Sequence, residues 1–136
     1  MKEPVIILAA DIDQLKDLRA AVAAGPYHII ECDSTADLSA LVSDSASSVV
    51  ILDLDSVSVD NKFLRLLKAN NPGLSILTLS GQKLHPELRE SIASYIHACL
   101  SKPLDADELT FWLKSITQDT LEHGGQSPTN SNTSWP

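Results

Sequence analysis

Short blocks of consecutive apolar residues recur along the chain, and between them the apolar positions fall at helical spacing. Val5-Ile6-Ile7-Leu8-Ala9-Ala10 is uninterrupted, as a strand covered on both faces requires. From Asp13 the pattern changes: Leu15, Leu18 and Val22 share one helical stripe, which Gly25-Pro26 ends. Tyr27 to Cys32 predicts a second short strand. Asp33, Ser34 and Thr35 then offer cap chemistry for a helix bearing Leu38, Leu41 and Val42. Ser48 to Leu54 holds the clearest strand, in which Val49-Val50-Ile51-Leu52 runs straight into Asp53. A helix is expected over Lys62 to Ala69, stopped by Asn70-Asn71-Pro72-Gly73, and Leu74 to Leu79 is a further strand closed by Ser80-Gly81. Pro86 at a first helical turn opens a helix carrying Leu88, Ile92 and Ile96. Ala98-Cys99-Leu100 gives the last short strand, leading into Lys102-Pro103. The final helix starts at Asp105, with Glu108 placed as in a capping box and a stripe of Leu109, Trp112, Leu113 and Ile116.

Five strands thus alternate with five helices. Right-handed crossovers then dictate a parallel sheet with helices on both faces. The expected architecture is α/β: a three-layer α/β/α sandwich around a five-stranded parallel sheet of order 2-1-3-4-5, flavodoxin-like. No internal repeat is visible. After Thr117 the character changes, and Glu122 to Pro136 is mostly Gly, Ser, Thr, Asn and Pro with almost nothing to bury. Residues 1–117 are therefore expected to form the domain, and 118–136 a flexible linker or disordered tail. A linker would lead to an output domain.

Composition narrows the function classes. The 136 residues are 43% hydrophobic and 21% charged, ordinary for a folded soluble protein. A net charge of −8 argues against direct nucleic-acid binding, because a phosphate backbone rewards a basic face. The opening apolar run is too short for a signal core or a membrane span, so a cytoplasmic protein without membrane contact is expected. Cys32 and Cys99 read as reduced, buried thiols. His28, His85, His97 and His123 have no metal-ligand spacing and read as surface residues.

In open parallel sheets, functional groups collect beyond the carboxyl ends of the strands. Asp11 and Asp13 follow the first strand, Asp53 and Asp55 the third, Ser80 the fourth and Lys102 the fifth. Carboxylates, a hydroxyl and an amine at one edge suit phosphoryl acceptance. A carboxylate can be the nucleophile, while a hydroxyl, an ammonium and a hard cation hold the transferred oxygens.

Three segments carry a resemblance: Val49-Val50-Ile51-Leu52-Asp53, Leu79-Ser80-Gly81 and Leu100-Ser101-Lys102-Pro103-Leu104. In order and separation they resemble the signature segments of response-regulator receiver domains, over about residues 4 to 117. The resemblance implies a signalling module rather than an enzyme, with Asp53 as phosphoacceptor. It implies Ser80 as the hydroxyl that reports phosphorylation, Lys102 as the phosphate-binding ammonium, and a commonly cis bond to Pro103. It also implies a histidine kinase or phosphotransfer protein as donor, and an output domain or homodimer contact through residues 86–117.

The departures are specific. Where the family ends its first strand with two acidic magnesium ligands, this chain has Ala9 and Ala10, followed by Asp11. Mg²⁺ would depend on Asp53, a backbone carbonyl near Asp55, waters and Asp11, so its binding is expected to be weakened. Cys99 occupies the position of the switch aromatic, and the loop after Asp53 lacks the family's Met-Pro and Gly. A phosphorylation-independent pseudo-receiver, acting as a dimerisation or interaction module, is therefore the alternative. A small enzyme or cofactor binder is disfavoured: Asp11-Ile12-Asp13-Gln14 has no glycine and two repelling carboxylates, and no Ser–His–Asp set is evident.

Overall fold

In the computed structural model, which describes residues 3–82 and 85–123, each apolar block becomes a strand of one parallel sheet. The strands are β1 (Glu3–Leu8), β2 (Tyr27–Cys32), β3 (Val49–Asp53), β4 (Ser75–Ser80) and β5 (Ile96–Ser101). They alternate with α1 (Ile12–Ala23), α2 (Thr35–Ser45), α3 (Asn61–Asn70), α4 (Arg89–Ser94) and α5 (Ala106–His123). The strand order is β2-β1-β3-β4-β5, every neighbouring pair being parallel. This is the flavodoxin-like sandwich that the alternation predicts.

Strand residues alternate between two cores because successive side chains leave opposite faces of a sheet. Val5, Ile7, Ile51, Leu77 and Leu79 meet Leu18 and Val22 of α1 and Leu109, Leu113 and Ile116 of α5. Ile6, Leu8, Val50, Leu52 and Ile76 meet Leu38 and Val42 of α2 and Leu64 and Leu67 of α3. At about 1.5–3 kcal/mol for each fully buried large aliphatic side chain, these two layers dominate the stability of the fold.

Short polar side chains start the helices. Asp11 accepts from the Asp13 N–H (3.0 Å), Ser34 from that of Asp37 (3.2 Å) and Asp60 from that of Phe63 (2.8 Å). Asp105 accepts from Asp107 and Glu108 at 2.9 and 3.3 Å. Each satisfies backbone donors left over at a helix start. Gly25 is needed where α1 turns toward β2, since a Cβ there would lie 2.5 Å from the Tyr27 ring. Ala46, after α2, holds the left-handed conformation without a glycine, at φ 55°.

Two expectations are corrected. The helix opening at Pro86 is shorter than its stripe suggests. A 3₁₀ turn over Pro86–Leu88 passes into α4, Ile92 is 41% exposed, and Ile96 belongs to β5, paired with Ile76. Pairing with an existing strand satisfies the backbone from residue 96 onward, so sheet wins over helix there. Cys99 is exposed and Cys32 half-buried, because β5 and β2 are the edge strands. Helix α5 runs through His123, past Thr117; of the expected tail, residues 124–136 lie outside the described residues.

Candidate functional site

The carboxyl ends of β3, β4 and β5 lie level. Asp53 pairs with Leu79, Ser80 pairs with Ser101, and the Lys102 N–H donates to the Ser80 carbonyl at 3.0 Å. The Lys102–Pro103 bond is cis. This register brings Asp53, Ser80 and Lys102 to one edge.

Asp53 is a fully buried carboxylate with contacts on both oxygens. Lys102 Nζ lies 2.9 Å from Asp53 Oδ1, and the Asp55 N–H donates to the same oxygen at 3.3 Å. The Ser56 hydroxyl donates to Asp53 Oδ2 at 2.7 Å and itself accepts the Ala10 N–H at 3.0 Å. A charge removed from water is tolerated only when paired and hydrogen-bonded in this way.

Asp55 contributes more than its backbone. The turn after β3, closed by the Ser56 and Val57 N–H groups on the Asp53 carbonyl (3.3 and 3.1 Å), curls Asp55 back over the edge. Asp55 Oδ1 accepts the Ser80 hydroxyl at 3.0 Å. Its Oδ2 accepts the Gly81 N–H at 2.9 Å and faces Lys102 Nζ at 2.9 Å. Partial desolvation pushes the Asp55 carboxyl upward, but Gly81, Lys102 and Ser80 together outweigh it and hold it below its ordinary range. Desolvation likewise pulls Lys102 down, and the two carboxylates outweigh it, leaving the ammonium above its ordinary range.

A second shell of contacts leads away from Ser80. Its oxygen lies 2.8 Å from His85 Nε2, and His85 Nδ1 lies 3.3 Å from Glu87 Oε2. Asn61 of α3 donates to the Glu87 carbonyl at 2.7 Å and accepts the Ser91 N–H at 3.0 Å, tying the start of α4 to α3. Ser80, His85 and Glu87 have the connectivity of a Ser–His–carboxylate set, which the sequence alone did not place. The Ser80 hydroxyl, however, donates to Asp55, so it is not aimed at His85 as a nucleophile's proton would be.

No protein-family model and no curated protein sequence matches the chain. Solved structures do match it. A signal receiver domain of an HD domain-containing protein from Pseudomonas fluorescens is 18% identical with a TM-score of 0.78, over 90% of this chain and 99% of that one. A CheY-like receiver domain from Methanospirillum hungatei is 15% identical at TM-score 0.77, over 92% of this chain and 100% of that one. The receiver domain of a sensor histidine kinase from Pseudomonas aeruginosa is 16% identical at TM-score 0.73, over 86% and 99%. That structure has a magnesium ion coordinated in its active-site cleft. The chain has the receiver-domain fold.

At this edge the carboxylates available to a Mg²⁺ ion are those of Asp53 and Asp55. Ala9 is buried and Ala10 supplies only its N–H, to Ser56. Asp11, a candidate ligand by sequence, is exposed and turned to its own helix as the cap of α1. Asp53 and Asp55 converge on the Lys102 ammonium. Among the described residues, no group of three or more His, Cys, Asp or Glu is gathered for a metal.

Two participants escaped the sequence reading. His85 reads as a surface histidine, yet its side chain is only 11% exposed and touches Ser80. Ser56 reads as part of a divergent loop, yet it holds Asp53. Both lie on loops that follow strands ending at this edge, and that position is the only signal they gave.

The other half of the edge is open. A cleft of about 610 Å³ lies between α1 and α2, lined by Ala9, Ala10, Ile12 and Cys32 with Asp33 and Asp37. Burial, then Asp37 and Asp33, push the Cys32 thiol up to about 11, which leaves it a poor nucleophile.

Proposed function

We propose that this chain is a receiver module of a two-component phosphorelay, with Asp53 in the phosphoacceptor position, controlling an output domain or separate partner by protein–protein contact. The observation that carries this reading is the buried Asp53 carboxylate at the end of the central strand, with Lys102 Nζ 2.9 Å away and Ser80 one strand over. Such a carboxylate can attack the phosphorus of a phosphohistidine presented by a histidine kinase or phosphotransfer protein. The donor's P–N bond breaks and an acyl phosphate forms on Asp53, its oxygens facing the lysine and serine. Magnesium would supply charge neutralisation here, though Ala9 and Ala10 in place of acidic ligands weaken its binding.

The contacts from Ser80 through His85 and Glu87 offer a route to α4, and Phe111 on α5 is 62% exposed as part of a contact face within residues 86–117. Among the described residues no helix is long and apolar enough to cross a membrane, and a cytoplasmic signalling role, not an enzymatic one, accords with this reading.

A second reading, a phosphorylation-independent pseudo-receiver, is favoured by Ala9 and Ala10 and by the sharing of Lys102 with Asp55. Amide NMR during Mg²⁺ and beryllofluoride titration separates the two. Saturable shifts at Asp53, Ser80 and Lys102 that vanish in Asp53→Asn are expected for a phosphoacceptor. A flat response at millimolar concentrations favours the pseudo-receiver.

A further inference from the structure

The donors around Asp55 are those an oxyanion would seek: a hydroxyl (Ser80), a backbone N–H (Gly81) and an ammonium (Lys102), at 3.0, 2.9 and 2.9 Å from its two oxygens. Two of them, Ser80 and Lys102, are the groups that the receiver reading assigns to the phosphoryl oxygens. The Asp55 side chain is 31% exposed and the Asp53 side chain 0%, so Asp55 lies on the solvent side of the acceptor. Lys102 is 2.9 Å from both carboxylates, and the three groups together keep a net charge of −1. An incoming phosphoryl group would meet that charge with its best donors already engaged.

We propose that the Asp55 carboxylate is a built-in substitute for the phosphoryl group: it fills the anion seat formed by Ser80, Gly81 and Lys102, holding the receiver in its engaged posture and opposing phosphorylation of Asp53. The inference rests on the receiver reading of this edge and adds a regulator that the chain itself carries. No bond is made or broken; occupancy of the seat is a competition between an internal and an external anion. Ser80 is drawn to Asp55, and its contacts onward to His85 and Glu87 accompany that bond. Opening the seat requires moving Asp55 away, whether by substitution or by a partner that binds the turn after β3.

The test compares the wild-type chain with Asp55→Ala and with Asp55→Asn, which keeps the shape and removes the charge. Amide NMR follows titrations with beryllofluoride plus Mg²⁺ and, separately, with inorganic phosphate. Unchanged resonances in β1 and β2 establish that each variant is folded. The expected result is a saturation midpoint lowered about tenfold or more in Asp55→Ala, with Asp55→Asn in between. The Gly81 amide should shift when Asp55 is removed and move back when phosphate enters. Equal midpoints in all three proteins would overturn the inference while leaving Asp53 as acceptor. Variants that bind neither probe would overturn it as well, since no anion seat would then exist beneath Asp55. Phosphate binding that survives in the double variant Asp53→Asn/Asp55→Ala, with no Asp53-dependent beryllofluoride response in Asp55→Ala, would uphold the seat and sink the phosphoacceptor reading alone.

Discussion

The carboxyl edge of one sheet carries two unlike halves. Beyond β3, β4 and β5, two carboxylates, an ammonium, two hydroxyls and a histidine close into a bonded cluster around the buried Asp53. Beyond β1 and β2 the same edge ends in Ala9 and Ala10 and opens into the cleft against α2. The backbone is equivalent in the two halves, since parallel strands in register end together. What differs is the chemistry beside Asp53: Ser80 and Lys102 reach its side of the edge, whereas β1 is followed by two alanines. Topology builds the ledge, and side chains decide which part of it does chemistry. Ser56 is the link between the halves, accepting from Ala10 on one side and donating to Asp53 on the other.

The largest effect is expected from Lys102→Met. It leaves the fully buried Asp53 carboxylate without a counter-charge and should cost about 3–5 kcal/mol in urea unfolding. A loss below about 1 kcal/mol would mean that the ammonium does not hold this half together. The pH profile gives a second readout. Asp55 sits below its ordinary 3.8, so its contribution is complete above that pH and is lost as pH falls through the folded value. Lys102 sits above its ordinary 10.5, so its contribution is complete below that pH and is lost as pH rises through the folded value. The wild-type chain should therefore show a network contribution that is flat between about pH 4 and pH 10 and falls at both ends. Lys102→Met should remove the alkaline slope and reduce the acid one, since Gly81 and Ser80 still hold Asp55.

Cutting the link should cost less. Ser56→Ala strands one Asp53 oxygen and the Ala10 N–H, and about 1–3 kcal/mol of destabilisation is expected by thermal or urea denaturation. A loss within about 0.5 kcal/mol would show that water replaces the hydroxyl at no net cost.

Restoring acid to the open half sharpens the comparison. The double variant Ala9→Asp/Ala10→Asp should bind Mg²⁺ about tenfold or more tightly than the parent, about 1.4 kcal/mol, in an amide-shift titration. An unchanged affinity would place the difference between the halves elsewhere than in those two side chains. The smallest effect belongs to a position outside both halves. Ala46→Gly relieves a left-handed backbone at φ 55° and should raise stability by at most about 1 kcal/mol, without altering the response to any anion or metal.

Much of this architecture is legible in the chain. Blocks such as Val49-Val50-Ile51-Leu52 can be buried on both faces only inside a parallel sheet, and the stripes between them must cover it. The residue after such a block stands at the carboxyl edge, which is why Asp53, Ser80 and Lys102 are readable as a set. The roles of Asp55, Ser56 and His85 are not readable in this way. They lie on loops, where a side chain's direction follows from the closure of a particular turn and not from a period. The limit of α4 was hidden for a related reason: Ile96 fits a helical stripe, and only the neighbouring β4 offers it a better partner.

The strand and helix order, the two-faced core and the three groups at the strand ends follow from hydrophobic periodicity, a local property that burial enforces. Only the tertiary structure decided that Asp55 turns inward onto Ser80, Gly81 and Lys102, that Ser56 bridges to Ala10, and that Asp11 turns away to cap its own helix. Those choices depend on which donors converge in space from separate parts of the chain. A carboxylate on a loop goes where the most donors can reach it.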